Sequence, residues 1–405
     1  MRILTTITYY SPHISGLTVY ARRLIRRLVE RGHDVTVLTS RYAPQLAARE
    51  EIDGATVIRS PVWFQVSKGV FAPRFLWDAA RLISSHDVIY LHLPQFEASG
   101  VAVLAKLMRK PLVTTYQCDI QLPPGLIRTV FTPPIRASHY VTGKLSDRVV
   151  VLSDEYGRSA RLPAHFHQKV LSIHPPIELA IASTNPRAFR AQHGLGEGPL
   201  IGFVGRYAEE KGLDYLLEAL LLVRRELPEA RLVLAGPTDT VPGERVYAWL
   251  RPKIDALGDS VRHLGLLSDP DLTSFYQTIG VLVLPSTNST EAFGMTQAEA
   301  MLAGTPVVAS DIPGVSEAVR ITGMGLTVPP RDPEAIARAV VTVLREHDRF
   351  ARPTGEIRKL FDPAGTAAFY EELFSNLSGL SPAMSSATPL GDSTEDTADQ
   401  TQASR

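Results

Sequence analysis

Two glutamates eight positions apart, Glu291 and Glu299, frame the stretch Glu291-Ala-Phe-Gly-Met-Thr-Gln-Ala-Glu299. An apolar run, VLVLPS (281–286), precedes it and an amphipathic pattern continues it, so a loop here opens into a helix over about 294–303. The first N–H groups of such a helix have no intrahelical partner. At Phe293, Gly294 and Met295 they favour a bound phosphate, with the positive end of the helix dipole behind them. Gly294 lets the backbone come close to it. Glu299 leans toward the helix start, where it can accept from ribose hydroxyls, and Glu291 near the loop tip can address sugar hydroxyls. Taken alone, the pair also reads as two solvated glutamates.

A second stretch decides between these readings. Gly205-Arg206-Tyr-Ala-Glu-Glu-Lys211-Gly212 follows the strand-like PLIGFVG (199–205). Arg206 offers a planar fork for phosphate oxygens and Lys211 a mobile point charge. Together they can neutralise the charge that grows on a departing diphosphate. Arg206, Lys211 and Glu291 are therefore the catalytic candidates. No P-loop occurs, and no G-x-G-x-x-G follows a strand.

The first half carries weaker signals. Gly16, in Ser11-Pro-His13-Ile-Ser-Gly16-Leu17, lies where a strand gives way to a helix, and it serves either a ligand approach or a tight turn. Thr115-Tyr-Gln117-Cys118-Asp119 ends another strand. Asp119 can orient an acceptor or cap the turn. His13, and His92 in LHLP, are further candidates for an acceptor side, although a lone histidine is more often structural. The stretch 122–140, rich in proline and apolar residues with Arg128 and Arg136, reads equally as an amphiphilic channel or a covering loop. Arg22, Arg23, Arg26, Arg27 and Arg31 surround the leucines of a helix at 18–31. Such a helix either lies on an anionic membrane or packs its leucines inward and solvates its arginines.

These loops need parallel sheets to hold them. Short β-branched runs alternate with helical patterns twice over, at 2–7, 34–40, 87–93, 111–116 and 147–153, then at 199–205, 231–236, 261–265, 281–286 and 305–310. The expected fold class is α/β, with two Rossmann-like, doubly wound domains. Residues 1–177 form the first domain and 178–190 a linker, since 175–189 lacks periodicity and carries two proline sites. Residues 191–360 form the second domain, 361–377 a helix packing back toward the first, and 378–405 a disordered tail.

At 405 residues two domains are expected, and 21% charged residues suit a globular enzyme. Residues 1–180 hold 22 Lys+Arg against 13 Asp+Glu, an excess of nine cations that the remainder offsets with nine anions. That asymmetry is either chance or a basic surface for anionic membrane or a phosphorylated acceptor. Cys118 alone excludes an internal disulfide and a cysteine zinc cage. No apolar run approaches the roughly 20 residues of a membrane span, and the first residues lack a cleavage site, so a cytoplasmic location is expected. The basic residues lack interleaved aromatics, which argues against nucleic acid.

GRYAEEKGLDYLLEAL, LAGP, HLGLLSD and LPSTNSTEAFGMTQAEAMLAGTPVVASDIPGVSE together resemble the C-terminal half of the retaining glycosyltransferase family 4, of GT-B architecture. The resemblance covers nearly all of 1–377. It implies two domains facing each other across a cleft, a nucleotide-diphosphate sugar donor such as a UDP- or GDP-sugar, a hydroxyl acceptor on a lipid, glycan or small molecule, and no cofactor or obligatory metal. Carried over, Gly205, Arg206 and Lys211 meet the diphosphate, Glu299 the ribose, and Glu291 with the Phe293–Met295 backbone the sugar and phosphate. Leu264, Gly265 and Leu266 match the loop that reads the base. Gly16 resembles the second of two family glycines, the first being Ser15 here. Gln117 stands where many members have a histidine, and an amide cannot move a proton. A sugar-nucleotide 2-epimerase and a catalytically silent binder are the rival readings.

Overall fold

In the computed structural model, residues 1–66, 69–120, 126–180, 184–237 and 246–379 are described. Among the described residues ten strands precede residue 173: β1 Arg2–Thr6, β2 Asp34–Arg41, β3 Arg49–Ile52, β4 Ala55–Pro61, β5 Phe64–Val66, β6 Gly69–Phe71, β7 Val88–Leu93, β8 Leu112–Tyr116, β9 Arg148–Val151 and β10 Val170–Ser172. Eight of them form one sheet, ordered β10-β9-β8-β7-β1-β2-β4-β3, parallel except for β3, and β5 and β6 pair as a separate hairpin. Six more form a second, wholly parallel sheet: β11 Leu200–Val204, β12 Arg231–Ala235, β13 Val261–Gly265, β14 Val281–Leu284, β15 Val307–Ser310 and β16 Gly325–Val328. Their order is β13-β12-β11-β14-β15-β16.

Apolar residues fill both faces of the central strands because both faces are covered. In β7, Val88 and Tyr90 enter one core while Ile89, Leu91 and Leu93 enter the other. Helix α1 (Gly16–Glu30) covers one face of the first sheet. The other is covered by α2 (Phe75–Ile83), α3 (Ala98–Leu107) and α4 (Leu126–Leu145). The apolar cluster under α1 continues without a break into the second sheet's inner face through Leu282, Leu284, Ala298 and Met301.

The helix Pro363–Ser378 closes this seam from the carboxyl end. Tyr370 Oη lies 2.7 Å from both Tyr20 Oη and Thr115 Oγ1, and Glu371 accepts from Arg31 and His33. Within the segment expected as linker, Asn185 caps a helix over Pro186–Gln192. A larger departure is α4. Its prolines at 133 and 134 argue for a loop, yet they stand inside a 20-residue helix. Packing against α3 overrides the local preference. Residues 121–125 of that stretch, and the tail from 380 onward, lie outside the described residues.

Candidate functional site

In an open parallel sheet a crevice forms where strand order reverses, beyond the carboxyl ends of the two central strands. In the second sheet those strands are β11 and β14, and their outgoing loops are 205–212 and 285–294. The two chemistry-bearing stretches thus leave adjacent strands at the one place where the backbone opens.

The loops are pressed together. The Thr287 N–H donates to the Glu210 carbonyl at 2.9 Å, and Lys211 forms an ion pair with Glu291 in which both side chains are largely buried. Gly212 has φ +62°, and a Cβ there would stand 2.1 Å from the Pro285 carbonyl oxygen, so only glycine allows this approach. Arg206 Nη2 lies 3.6 Å from Glu210 Oε1. The helix Met295–Leu302 begins directly behind, so its first N–H groups face the same space. Gly294 has φ +73°, and its Cβ would meet Leu284 Cδ2 at 2.3 Å. The chain's own packing therefore already requires glycine there, before any ligand does.

These groups line a cleft of about 650 Å³ between the two halves, a size typical of small-molecule sites. Gly16, Gln117, Gly205, Arg206, Lys211, Leu266, Glu291, Phe293, Gly294, Met295 and Glu299 all border it. Ser15 is extended at φ −153° and caps α1 through a reciprocal bond pair with Thr18, so this position needs no glycine. A Cβ at Gly16 would meet nothing within 4 Å. Its bareness opens space toward the cleft and relieves no turn.

Other expected site residues sit elsewhere. Leu264 packs partly buried against the apolar core, and the Gly265 carbonyl is taken by the Gly236 N–H at 2.8 Å, leaving Leu266 to face the cleft. His92 is fully buried beneath Tyr20 and Tyr90, and burial pushes its pKa down to about 3. It reaches the cleft only through Gln117, whose Nε2 lies 2.8 Å from His92 Nδ1. Asp119 is engaged by the Tyr116 hydroxyl, and its N–H donates to Tyr156 Oη at 2.7 Å, outside the cleft lining. His13 stacks on Tyr9 with ring centroids 4.6 Å apart. Burial, then the charge of Arg206, lowers its pKa to about 4.

The arginines of α1 are paired where the sequence leaves them solvated or membrane-facing. Arg22 pairs with Asp53, Arg23 with Glu299, Arg26 and Arg27 with Glu178, and Arg31 with Glu371. The helix packs its Leu24, Ile25 and Leu28 inward, and its arginines meet acidic partners inside the chain along the interdomain seam. Glu299 is likewise occupied. Oε1 accepts from Arg23 at 2.7 Å and Oε2 from the buried Tyr276 hydroxyl at 2.7 Å, so a ribose must share lone pairs that the chain already uses. No local sequence signal marks Arg23 as a partner of a residue 276 positions away. Among the described residues no three His, Cys, Asp or Glu side chains gather as a metal site, and no helix is long and apolar enough to cross a membrane.

Two Rossmann-like halves facing each other across a cleft are the GT-B architecture. Solved structures agree on the fold: the Anabaena protein HepE, crystallised with UDP and glucose, matches 93% of this chain and 100% of its own with a TM-score of 0.73 at 20% identity. The family models for glycosyl transferase 4-like domains and for glycosyl transferases group 1 match residues 15–171 and 198–346. The chain belongs to the group 1, family 4 glycosyltransferases. Among its relatives, a D-inositol 3-phosphate glycosyltransferase of Catenulispora acidiphila is 28% identical over 82% of this chain and 83% of its own. A phosphatidyl-myo-inositol mannosyltransferase of Mycobacterium tuberculosis is 27% identical over 91% and 92%. Neither the epimerase nor the silent-binder reading finds support among these relatives.

Proposed function

We propose that the chain transfers a sugar, with retained anomeric configuration, from a nucleotide diphosphate to a hydroxyl of a polyol or lipid-linked acceptor. The observation that carries this is the meeting of the two switch-point loops, which puts a guanidinium, an ammonium and the free amides of a helix around one cleft. An incoming diphosphate competes with Glu291 for Lys211. As the ammonium turns to the phosphate, the Glu291 carboxylate is released to accept from sugar hydroxyls. Glu291 and Glu299 then both have binding duties, and no carboxylate pair flanks the scissile bond as it would in a glycosidase. The leaving phosphate oxygen takes the acceptor's proton on the same face of the sugar, while Arg206, Lys211 and the amides at 293–295 hold its growing charge. These cations stand in for a metal, so no cofactor is needed.

UDP- and GDP-sugars are the donors proposed. UDP in the HepE structure supports the first, and the mannosyltransferase relative is compatible with the second. The inositol-bearing names of two relatives support a polyol acceptor, free or lipid-linked. A thermal-shift screen against UDP-, GDP- and ADP-sugars, followed by proton NMR of the product's anomeric centre, tests the reading. Stabilisation by one donor series and a retained anomer are expected; an inverted product overturns the mechanism, and epimerisation of donor alone overturns the class of reaction.

A further inference from the structure

Large apolar side chains are exposed at 19 described positions, and 13 of these fall between residues 63 and 141. Such clustering is not the scatter ordinary for a surface. The elements that carry these side chains follow one another along the chain or pack side by side. The β5–β6 hairpin presents Trp63, 73% exposed, with Phe64 stacked on Phe71 at 4.8 Å, and the chain runs from there into α2, which presents Trp77. Helix α2 packs on α3, where a Cβ at Gly100 would already touch Leu76, and α3 packs on α4. The Ser138 hydroxyl of α4 lies 2.9 Å from Ser99 Oγ and 3.3 Å from the carbonyl of Phe96, itself exposed.

Charge accompanies the apolar surface. From Ala98 to Asp147 there are six Lys or Arg and two acids, Asp119, which Tyr116 engages, and Asp147, which pairs with Lys106. On α2, Arg81 lies over the Trp77 ring at 3.4 Å and Arg74 at 5.0 Å, an indole and its cations held at one level. Asp78 is already bound by Arg74 and Ser60. The face therefore presents aromatic and aliphatic side chains within a cationic field. Unlike α1, on the other side of the sheet, it has few acids of its own.

We propose that the α2–α3–α4 face with the β5–β6 hairpin docks on an anionic lipid surface. Tryptophan beside arginine is the composition of a membrane interface, where the ring meets the acyl boundary and the cation the headgroup phosphates. A second copy is disfavoured by symmetry, because a two-fold contact would set these cations against themselves. The orientation has a consequence. The hairpin leaves the carboxyl end of β4 and Phe96 the carboxyl end of β7, the same sheet edge from which the loop carrying Gly16 departs. Docking brings the cleft mouth to the lipid, which suits an acceptor held there. This last point rests on the proposed transfer; the docking itself does not.

The chain has three tryptophans, Trp63 and Trp77 on the face and Trp249 in the other half, so the face reports on itself. The full chain carrying Trp249→Phe is titrated with phosphatidylcholine vesicles, with and without phosphatidylglycerol, following emission and co-sedimentation. A blue shift and a partition at least about tenfold higher on the anionic vesicles are expected. Trp63→Ser with Trp77→Ser should lower that partition about tenfold, and Arg81→Glu with Arg136→Glu should remove the anionic preference, each pair leaving Tm and donor-induced stabilisation intact. Lack of binding by the parent protein, equal binding by the folded variants, or a dimer that Trp77→Ser dissociates would overturn the proposal. Vesicle binding without transfer to any lipid acceptor would leave the docking standing and remove only the proposed acceptor.

Discussion

Substituting alanine at Gly16 separates the needs of the fold from those of the ligand. Gly16 opens α1 with ordinary helical geometry, and the added methyl would meet no atom within 4 Å. Alanine also restricts the unfolded chain, so the variant should gain about 0.4–1 kcal/mol. At the size of this domain that raises Tm by roughly 1–4 °C. The methyl would project into the cleft bordered by Arg206, Lys211 and the helix start at Met295, where the diphosphate is proposed to sit. Forcing a group into such a contact costs about 1–3 kcal/mol, which is roughly a 5- to 150-fold loss in donor affinity. Scanning calorimetry and titration of the nucleotide diphosphate measure the two effects on one preparation. Unchanged affinity would refute a phosphate beside Gly16, and a lowered Tm would show that the glycine serves the backbone after all.

Lys211→Ala should lower kcat/KM about 10²- to 10³-fold while Tm moves little, and equal turnover by the variant removes the ammonium from the mechanism. Arg23→Ala strands the buried Glu299 carboxylate with only Tyr276 as partner, at a cost of about 3 kcal/mol. Adding Glu299→Gln should recover much of it, and additive losses in a denaturation cycle would show that the two residues do not interact. Incubation with a chelator followed by desalting should leave turnover unchanged if the arginine and lysine suffice, and loss restored by a divalent cation would contradict that role. Burial holds His92 near 3 and both His13 and His139 near 4, against about 6.5 unfolded, so unfolding takes up protons between these values and stability falls as pH drops below 6.5. Glu97, raised by burial to about 7, acts oppositely between about 4.5 and 7, leaving these four groups a net uptake of roughly two protons near pH 5.5. Urea melts across this range should show the decline, and His92→Gln should reduce its slope by about one proton.

The second sheet was legible because its signals are local. Most of its strands are short apolar runs and each functional loop leaves the carboxyl end of one, so Arg206, Lys211, Glu291 and the helix start at Met295 could be placed on one edge from spacing, while the edge strand β16, a four-residue GLTV, was missed. The first half was less legible. Strand β4, which carries the sheet beyond β2, was missed because ATVIRSP ends in polar residues and a proline. Helix α4 was missed because Pro133 and Pro134 speak against it locally.

Partnership is what the chain order could not disclose. The arginines of α1 read either as a membrane-facing stripe or as a solvated face, and only folding shows Asp53, Glu178, Glu299 and Glu371 waiting opposite them. His92 read either as a cleft candidate or as a structural histidine, and the packing of Tyr20 and Tyr90 decides for the second. Residue type and spacing determined which chemistry the chain carries, since hydrogen-bonding capacity and periodicity belong to the residues themselves. Which charges remain free for a ligand was decided by the tertiary structure, because an ion pair depends on distances across space between groups hundreds of positions apart.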